Sequence, residues 1–209
     1  MMYLEGSILG FMDKLASSSP EPGGGAASAL AAAVGAALVS MVANLTVGKE
    51  KYSGVQDRVR ELLTSSEEVR GSLQALVQED TEVYGVLSVA FKMPRETDEE
   101  KEKRRQAVQA ALKEATWVPY RIAEQCLQVA RLSEIAADIG NVNAVSDAGV
   151  AVLLAEAGAQ CAALNVKINV NSIDDEIFTS EKWAGIQDIL SRTGELREKV
   201  VGVTYDKLG

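Results

Sequence analysis

Between Ser17 and Lys51 the chain reads SSSPEPGGGAASALAAAVGAALVSMVANLTVGKEK, and this segment constrains the fold more than any other. A proline-rich turn delivers Gly23, Gly24 and Gly25 to the start of a long alanine-rich helix. No charged residue occurs from Gly23 to Gly48, and Lys49 and Lys51 then close the segment. Three glycines at a helix start bare the backbone, where unpaired N–H groups and the positive end of the dipole favour an anion. Alanine, serine and glycine along the helix let neighbouring backbones approach closely.

Three familiar readings of such a segment fail. A P-loop needs Lys-Ser or Lys-Thr at a fixed distance from its glycines, and none follows here. A dinucleotide fingerprint follows a β-branched strand, whereas these glycines follow serine and proline. A membrane-spanning helix of this length would carry bulky apolar residues, but this one is mostly Ala and Gly and includes Ser28, Ser40, Asn44 and Thr46. A buried helix is the reading that remains. The net charge of −9 argues against nucleic acid as a partner, and no basic region followed by an apolar run marks a signal peptide. With Cys126 and Cys161 far apart and lacking a C-x-x-C partner, reduced buried thiols in the cytoplasm are expected. The chain has no histidine, which removes the usual general base, most zinc sites and every Ser-His or Cys-His nucleophile. No metal site is expected.

The periodicities predict an all-α fold, an up-and-down bundle of about six helices in one domain over residues 1–209. Ser7 caps a first helix through Ala16. The glycine turn starts a second that ends near Gly48. A third runs from about Gly54 to Met93 and stops at Pro94. Thr97 to Glu100 forms a capping box for the fourth, which Pro119 kinks or divides before it ends at Gly140. The fifth spans about Ser146 to Ile173. The last runs from about Asp175 to the carboxyl end, with a break expected near Gly194. Within NVKINVNSI, helical spacing puts Asn165, Asn169 and Ser172 on one face.

Two segments carry chemistry. The third helix has a seam of Val55, Val59, Leu62, Ser66, Val69, Leu73, Leu76, Asp80, Val83 and Leu87, in alternating steps of four and three. A carboxyl group on that seam, Asp80, is costly unless bonded or neutral, whereas Glu79 and Glu82 lie off the seam and read as solvated. The second segment is Gly140-Asn141-Val142-Asn143-Ala144-Val145-Ser146-Asp147. Capping explains one or two of its polar groups, and amides and hydroxyls in such a row also suit the donor–acceptor edge of a heterocycle.

Taken together, SSPEPGGGAASALAAAVGAALVSMVANLTVGKEKY, the DxxxY at Asp80–Tyr84, MPRET, VPYRIAE, GNVNAVSDAGVA and NVKIN resemble one family. It is the formiminotetrahydrofolate cyclodeaminase and methenyltetrahydrofolate cyclohydrolase family, and the likeness runs from about Phe11 to about Asn171. The resemblance implies a folate-binding homodimer with an active site in a cleft between helices, near or across the subunit interface. It implies Asp80 as the catalytic carboxylate. It implies substrate contacts from Gly23, Gly24 and Gly25, from Lys49 and Lys51, and from Asn141, Asn143, Ser146 and Asp147. Glu50 departs from the all-basic run common in the family. The chain reads as a standalone enzyme without a formiminotransferase domain.

The implied chemistry takes place at the carbon bridging N5 and N10 of tetrahydrofolate. Either N10 attacks a 5-formimino carbon and ammonia leaves, or water attacks the 5,10-methenyl carbon. A single carboxyl of raised pKa can move the protons in both, with no cofactor beyond the tetrahydrofolate substrate. The alternative is a non-catalytic helical module that binds folate or mediates assembly. The small-residue face of Ala26, Ala29, Ala33, Gly35, Ala36 and Ala37 asks for a closely packed partner helix, and a homodimer is expected, with no nucleic acid or membrane partner.

Overall fold

A computed structural model describes residues 3–209, and among these no strand occurs. Six α-helices follow one another: α1 (Ile8–Leu15), α2 (Gly24–Asn44), α3 (Gln56–Phe91), α4 (Asp98–Ile139), α5 (Val145–Val170) and α6 (Glu176–Leu208). The expected caps form. Ser7 accepts from the Gly10 N–H at the start of α1, and Thr97 and Glu100 make the reciprocal capping box of α4. A 3₁₀ turn over Glu50–Val55 delays α3 to Gln56, two residues later than the sequence suggests. Gly194 does not interrupt α6, because the turns on both sides of it are buried at Ile189, Thr193 and Val200.

The α2 helix is the axis of the bundle, packed against α3, α5 and α4. Ala26, Ala29, Ala33, Gly35 and Ala36 are buried within the chain. A Cβ on Gly35 would lie 3.0 Å from the Ala151 carbonyl oxygen, and one on Gly158 of α5 would lie 3.2 Å from the Ser28 carbonyl oxygen. The small residues therefore serve contact between α2 and α5 of one chain. Ala37, expected on the same face, is exposed. Around this seam Val39, Val42, Val59, Val77, Ile122 and Val152 are fully buried, each contributing roughly 1.5–3 kcal/mol relative to an exposed position.

The outward face of α2 and α5 is also apolar. Val34 and Met41 are exposed on α2 and Leu45 at its C-cap, and Val150, Leu153, Leu164 and Ile168 on α5, the last two at 66% and 69%. The two helices run antiparallel. Gly24 lies beside Asn165 at one end, and at the other the Asn141 N–H donates to Thr46 Oγ1 at 2.8 Å and its side-chain Nδ2 to the Leu45 carbonyl at 3.0 Å.

Pro119 does not divide α4, which is continuous to Ile139. Proline has no N–H, so the Ala115 carbonyl one turn earlier loses its helical partner. Asn169 of α5 supplies one, its Nδ2 donating to that oxygen at 2.9 Å. On the far side of α4 the buried Lys182 of α6 places its Nζ 3.8 Å from the centre of the Trp117 ring and 5.1 Å from that of Tyr120. Such cation–π contacts, worth up to about 2 kcal/mol when desolvated, hold the proline turn from behind.

Candidate active site

The glycine turn does receive an anion, and it belongs to the chain itself. Asp80, from the middle of α3, accepts the Ala26 N–H through Oδ2 at 2.9 Å. Ala26 is in the first turn of α2, where N–H groups have no helical partner and the dipole favours negative charge. The carboxylate comes so near that a Cβ on Gly25 would lie 2.1 Å from Asp80 Oδ1, so only glycine fits. Ser28 Oγ donates to the Gly24 carbonyl at 2.6 Å and braces the same turn. Burial pushes the Asp80 carboxyl above the ordinary carboxylate range, and the Ala26 N–H offsets this only in part.

Asp80, Gly23, Gly24 and Gly25 open on a cavity of about 390 Å³ between α2, α3, α4 and α5. Its walls are largely apolar, with Val83, Leu87, Phe91, Leu112, Val118 and Pro119 among them. Polar groups come from Thr81, Tyr84, Asn165, Asn169 and Ser172, and among the described residues the charged ones lining it are Asp80 and Glu21. Among the described residues no group of three or more histidine, cysteine or carboxylate side chains is placed to hold a metal ion.

Beside Asp80, Glu79 is not simply solvated, since it pairs with Arg121 of α4 and ties the two helices together next to the cavity. Tyr84, one turn beyond Asp80, completes the DxxxY pattern on the cavity wall. The α4 lining was not legible as a site, because its residues are ordinary apolar ones. The α5 carboxamides did leave a signal in their shared helical face.

The remaining predicted residues lie elsewhere in this chain. Lys49, Lys51, Asn141, Asn143, Ser146 and Asp147 cluster at the other end of α2, roughly 30 Å away for a helix of its length. Asn141 is committed internally. Its Oδ1 accepts from the Asn143 N–H and the Tyr52 hydroxyl, and that hydroxyl in turn accepts the Val142 N–H at 3.0 Å. Asn143 and Ser146 are exposed, and neither caps α5, whose N-cap is Ala144 without a side-chain bond. Cys126 is buried as expected, but Cys161 is exposed on the outward face of α5, and both are free.

The formiminotransferase-cyclodeaminase family model matches residues 7–188. The chain belongs to this family. A methenyltetrahydrofolate cyclohydrolase of Methylorubrum extorquens is 44% identical over 198 residues, covering 95% of both proteins. The formimidoyltransferase-cyclodeaminase of Mus musculus is 32% identical over 199 residues, which are 95% of this chain and 37% of the mouse protein. In three dimensions the chain matches the crystal structure of formiminotetrahydrofolate cyclodeaminase from Thermotoga maritima at a TM-score of 0.89 and 29% identity, over 99% of both chains. In this chain the family's helical fold brings a half-buried carboxylate onto the glycine helix start.

Proposed function

We propose that this protein is an enzyme of one-carbon tetrahydrofolate metabolism acting at the carbon bridging N5 and N10, with Asp80 as its general acid and base. The observation that carries the reading is the Asp80 carboxyl held 2.9 Å from a backbone N–H in an apolar cavity whose wall has no lysine or arginine. The 5,10-methenyl group is a delocalised cation between two nitrogens, and the Asp80 carboxylate in such a cavity complements it. The cation in turn favours ionised Asp80, against the effect of burial.

In hydrolysis, water forms a C–O bond to the methenyl carbon and gives a proton to Asp80. The tetrahedral carbon then breaks its bond to N5, which takes the proton back as the C=O forms. The hydroxyl proton goes to solvent, and 10-formyltetrahydrofolate leaves. In cyclodeamination, N10 adds to the formimino carbon of 5-formiminotetrahydrofolate and gives its proton to Asp80, which passes it to the formimino nitrogen as the C–N bond breaks, ammonia leaves and 5,10-methenyltetrahydrofolate remains. The identity to the bacterial cyclohydrolase over nearly the whole of both chains supports hydrolysis first. The likeness to the Thermotoga cyclodeaminase supports the second reaction at the same site. Neither scheme calls on a cofactor beyond the substrate.

Our reading includes a homodimer. The uncovered apolar face of α2 and α5 suits a second copy, and Ile168 belongs both to that face and to the cavity wall. Pairing α2 antiparallel with its copy would carry the Lys49, Lys51, Asn143, Ser146 and Asp147 end of one chain to the Asp80 cavity of the other. The cations absent from the cavity, which an anionic folate tail calls for, would then come from the partner. A cytoplasmic site of action fits the exposed free thiol of Cys161.

Both substrates should be assayed side by side, following the ultraviolet absorbance of methenyltetrahydrofolate. Its consumption supports hydrolysis, and its formation from the 5-formimino substrate supports cyclodeamination. Binding of folate without turnover of either would leave the non-catalytic module, and no binding at all would end the folate reading.

A further inference from the structure

The α5 wall of the cavity carries two carboxamides one turn apart, and the scheme above uses neither. Asn165 Nδ2 donates to the Cys161 carbonyl of its own helix at 2.9 Å, and Asn169 Nδ2 to the Ala115 carbonyl freed by Pro119 at 2.9 Å. A carbonyl only accepts, so each bond fixes which end of the amide is nitrogen. Each side chain is thereby oriented while its Oδ1 and second N–H keep no protein partner among the described residues. Both residues line the cavity, Asn165 beside Gly24 (3.6 Å from where a Cβ there would sit) as Asp80 is beside Gly25.

We infer that Asn165 and Asn169 bind the amino-oxo edge of the substrate's pterin ring and so set its register against Asp80, an inference that rests on the folate reading above. Three parts of a tetrahydrofolate compete for this wall. The glutamate tail asks for cations, which the wall lacks, and the aminobenzoyl ring asks only for apolar surface. The pterin edge, with an oxo acceptor and neighbouring N–H donors, asks for fixed neutral donors and acceptors, which is what two tethered carboxamides offer. They are separated by about 6 Å along the helix, a span that suits two contacts on one ring edge. N5 and the 4-oxo group are on the same side of the pterin, so the carboxamide next to the glycine turn and Asp80 meets the oxo group. Asn165 therefore donates to the oxo group, and Asn169 accepts from the 2-amino group and the ring N–H. Asn169 is also a positioning residue, since the same amide holds α4 at its proline.

Titration calorimetry with 5-formyltetrahydrofolate and its 2-desamino analogue tests this. The wild-type protein should prefer the amino compound at least tenfold, and Asn169→Ala should bring that preference below threefold. Asn165→Ala should weaken both compounds about tenfold and keep the preference, because it reads the oxo group. An Asn165→Ala protein that binds both compounds as tightly as wild type overturns the inference, as does an Asn169→Ala protein that keeps the preference. If Asn169→Ala does not fold, the Asn165→Ala arm decides alone, because the Cys161 carbonyl keeps its own helical N–H. Wild-type protein that binds neither compound removes the folate reading as well, whereas binding that these variants leave untouched removes only this inference.

Discussion

The two ends of α2 are built in opposite ways. At the amino end the acid is anchored by its own chain: Asp80 is bonded to the Ala26 N–H, Ser28 to the Gly24 carbonyl, and Gly25 gives up its side chain so that the carboxylate can approach. At the carboxyl end Asn141 is locked with Thr46 and Tyr52, while Asn143 and Ser146 face outward. One end is an acid anchored in its cavity, and the other turns the side chains of Asn143 and Ser146 to the outside. A site that needs both ends would have to use two copies, which is why the dimer belongs to the functional reading.

The sharpest way to break this contrast is at the anchored end. Asp80→Asn keeps the shape and removes the titrating proton, so turnover should fall at least about a hundredfold while folate affinity stays within a few fold. Unchanged turnover would move the acid elsewhere, with Asp147 tested next. Gly25→Ala forces a methyl group onto the carboxylate. Steady-state rates should fall by about tenfold or more, and thermal melting should register a loss of roughly 1–3 kcal/mol from overpacking.

The open end is tested by mixing. Asp80→Asn protein and a Lys49→Ala/Lys51→Ala/Asn143→Ala protein, each impaired alone, should recover up to about a quarter of wild-type activity when subunits exchange, because one site in a mixed dimer is intact. No recovery, in a dimer shown by sedimentation to exchange, would mean that each chain works alone. Leu164→Glu on the apolar face should shift the sedimentation profile towards monomer and lower activity with it.

The smallest effect concerns pH. Burial raises the Asp80 pKa in the folded state, so the unfolded chain gives up that proton first and the acid's contribution to stability is lost as pH rises from the ordinary carboxylate value towards the raised one. Wild-type melting should decline relative to Asp80→Asn across that window, starting near pH 4. Parallel melting curves from acid to neutral pH would show that Asp80 is not desolvated.

Most of the helices were legible because their ends are written in local chemistry: Ser7, Thr97 with Glu100, Pro94 and Gly140 each mark a boundary that forms. Asp80 was legible for a different reason, as a charge on an apolar seam. Its anchoring on the Ala26 N–H was not, because that contact joins residues 54 apart in sequence. The face on which α2 packs was half legible. Alanine spacing located the close contact with a helix but not which helix, and the structure shows it to be α5 of the same chain, leaving the bulkier Val34 and Met41 outward. Pro119 signalled a break that the Asn169 amide repairs, a compensation that lies on another helix and has no local trace.

The bond between Ala26 and Asp80 has a consequence for how this site tolerates change. Its donor is main chain, present whatever side chain occupies position 26, with one exception. Proline alone would delete the N–H. At that position a substitution therefore acts on the acid through packing, since Ala26 is fully buried, and not by removing the donor.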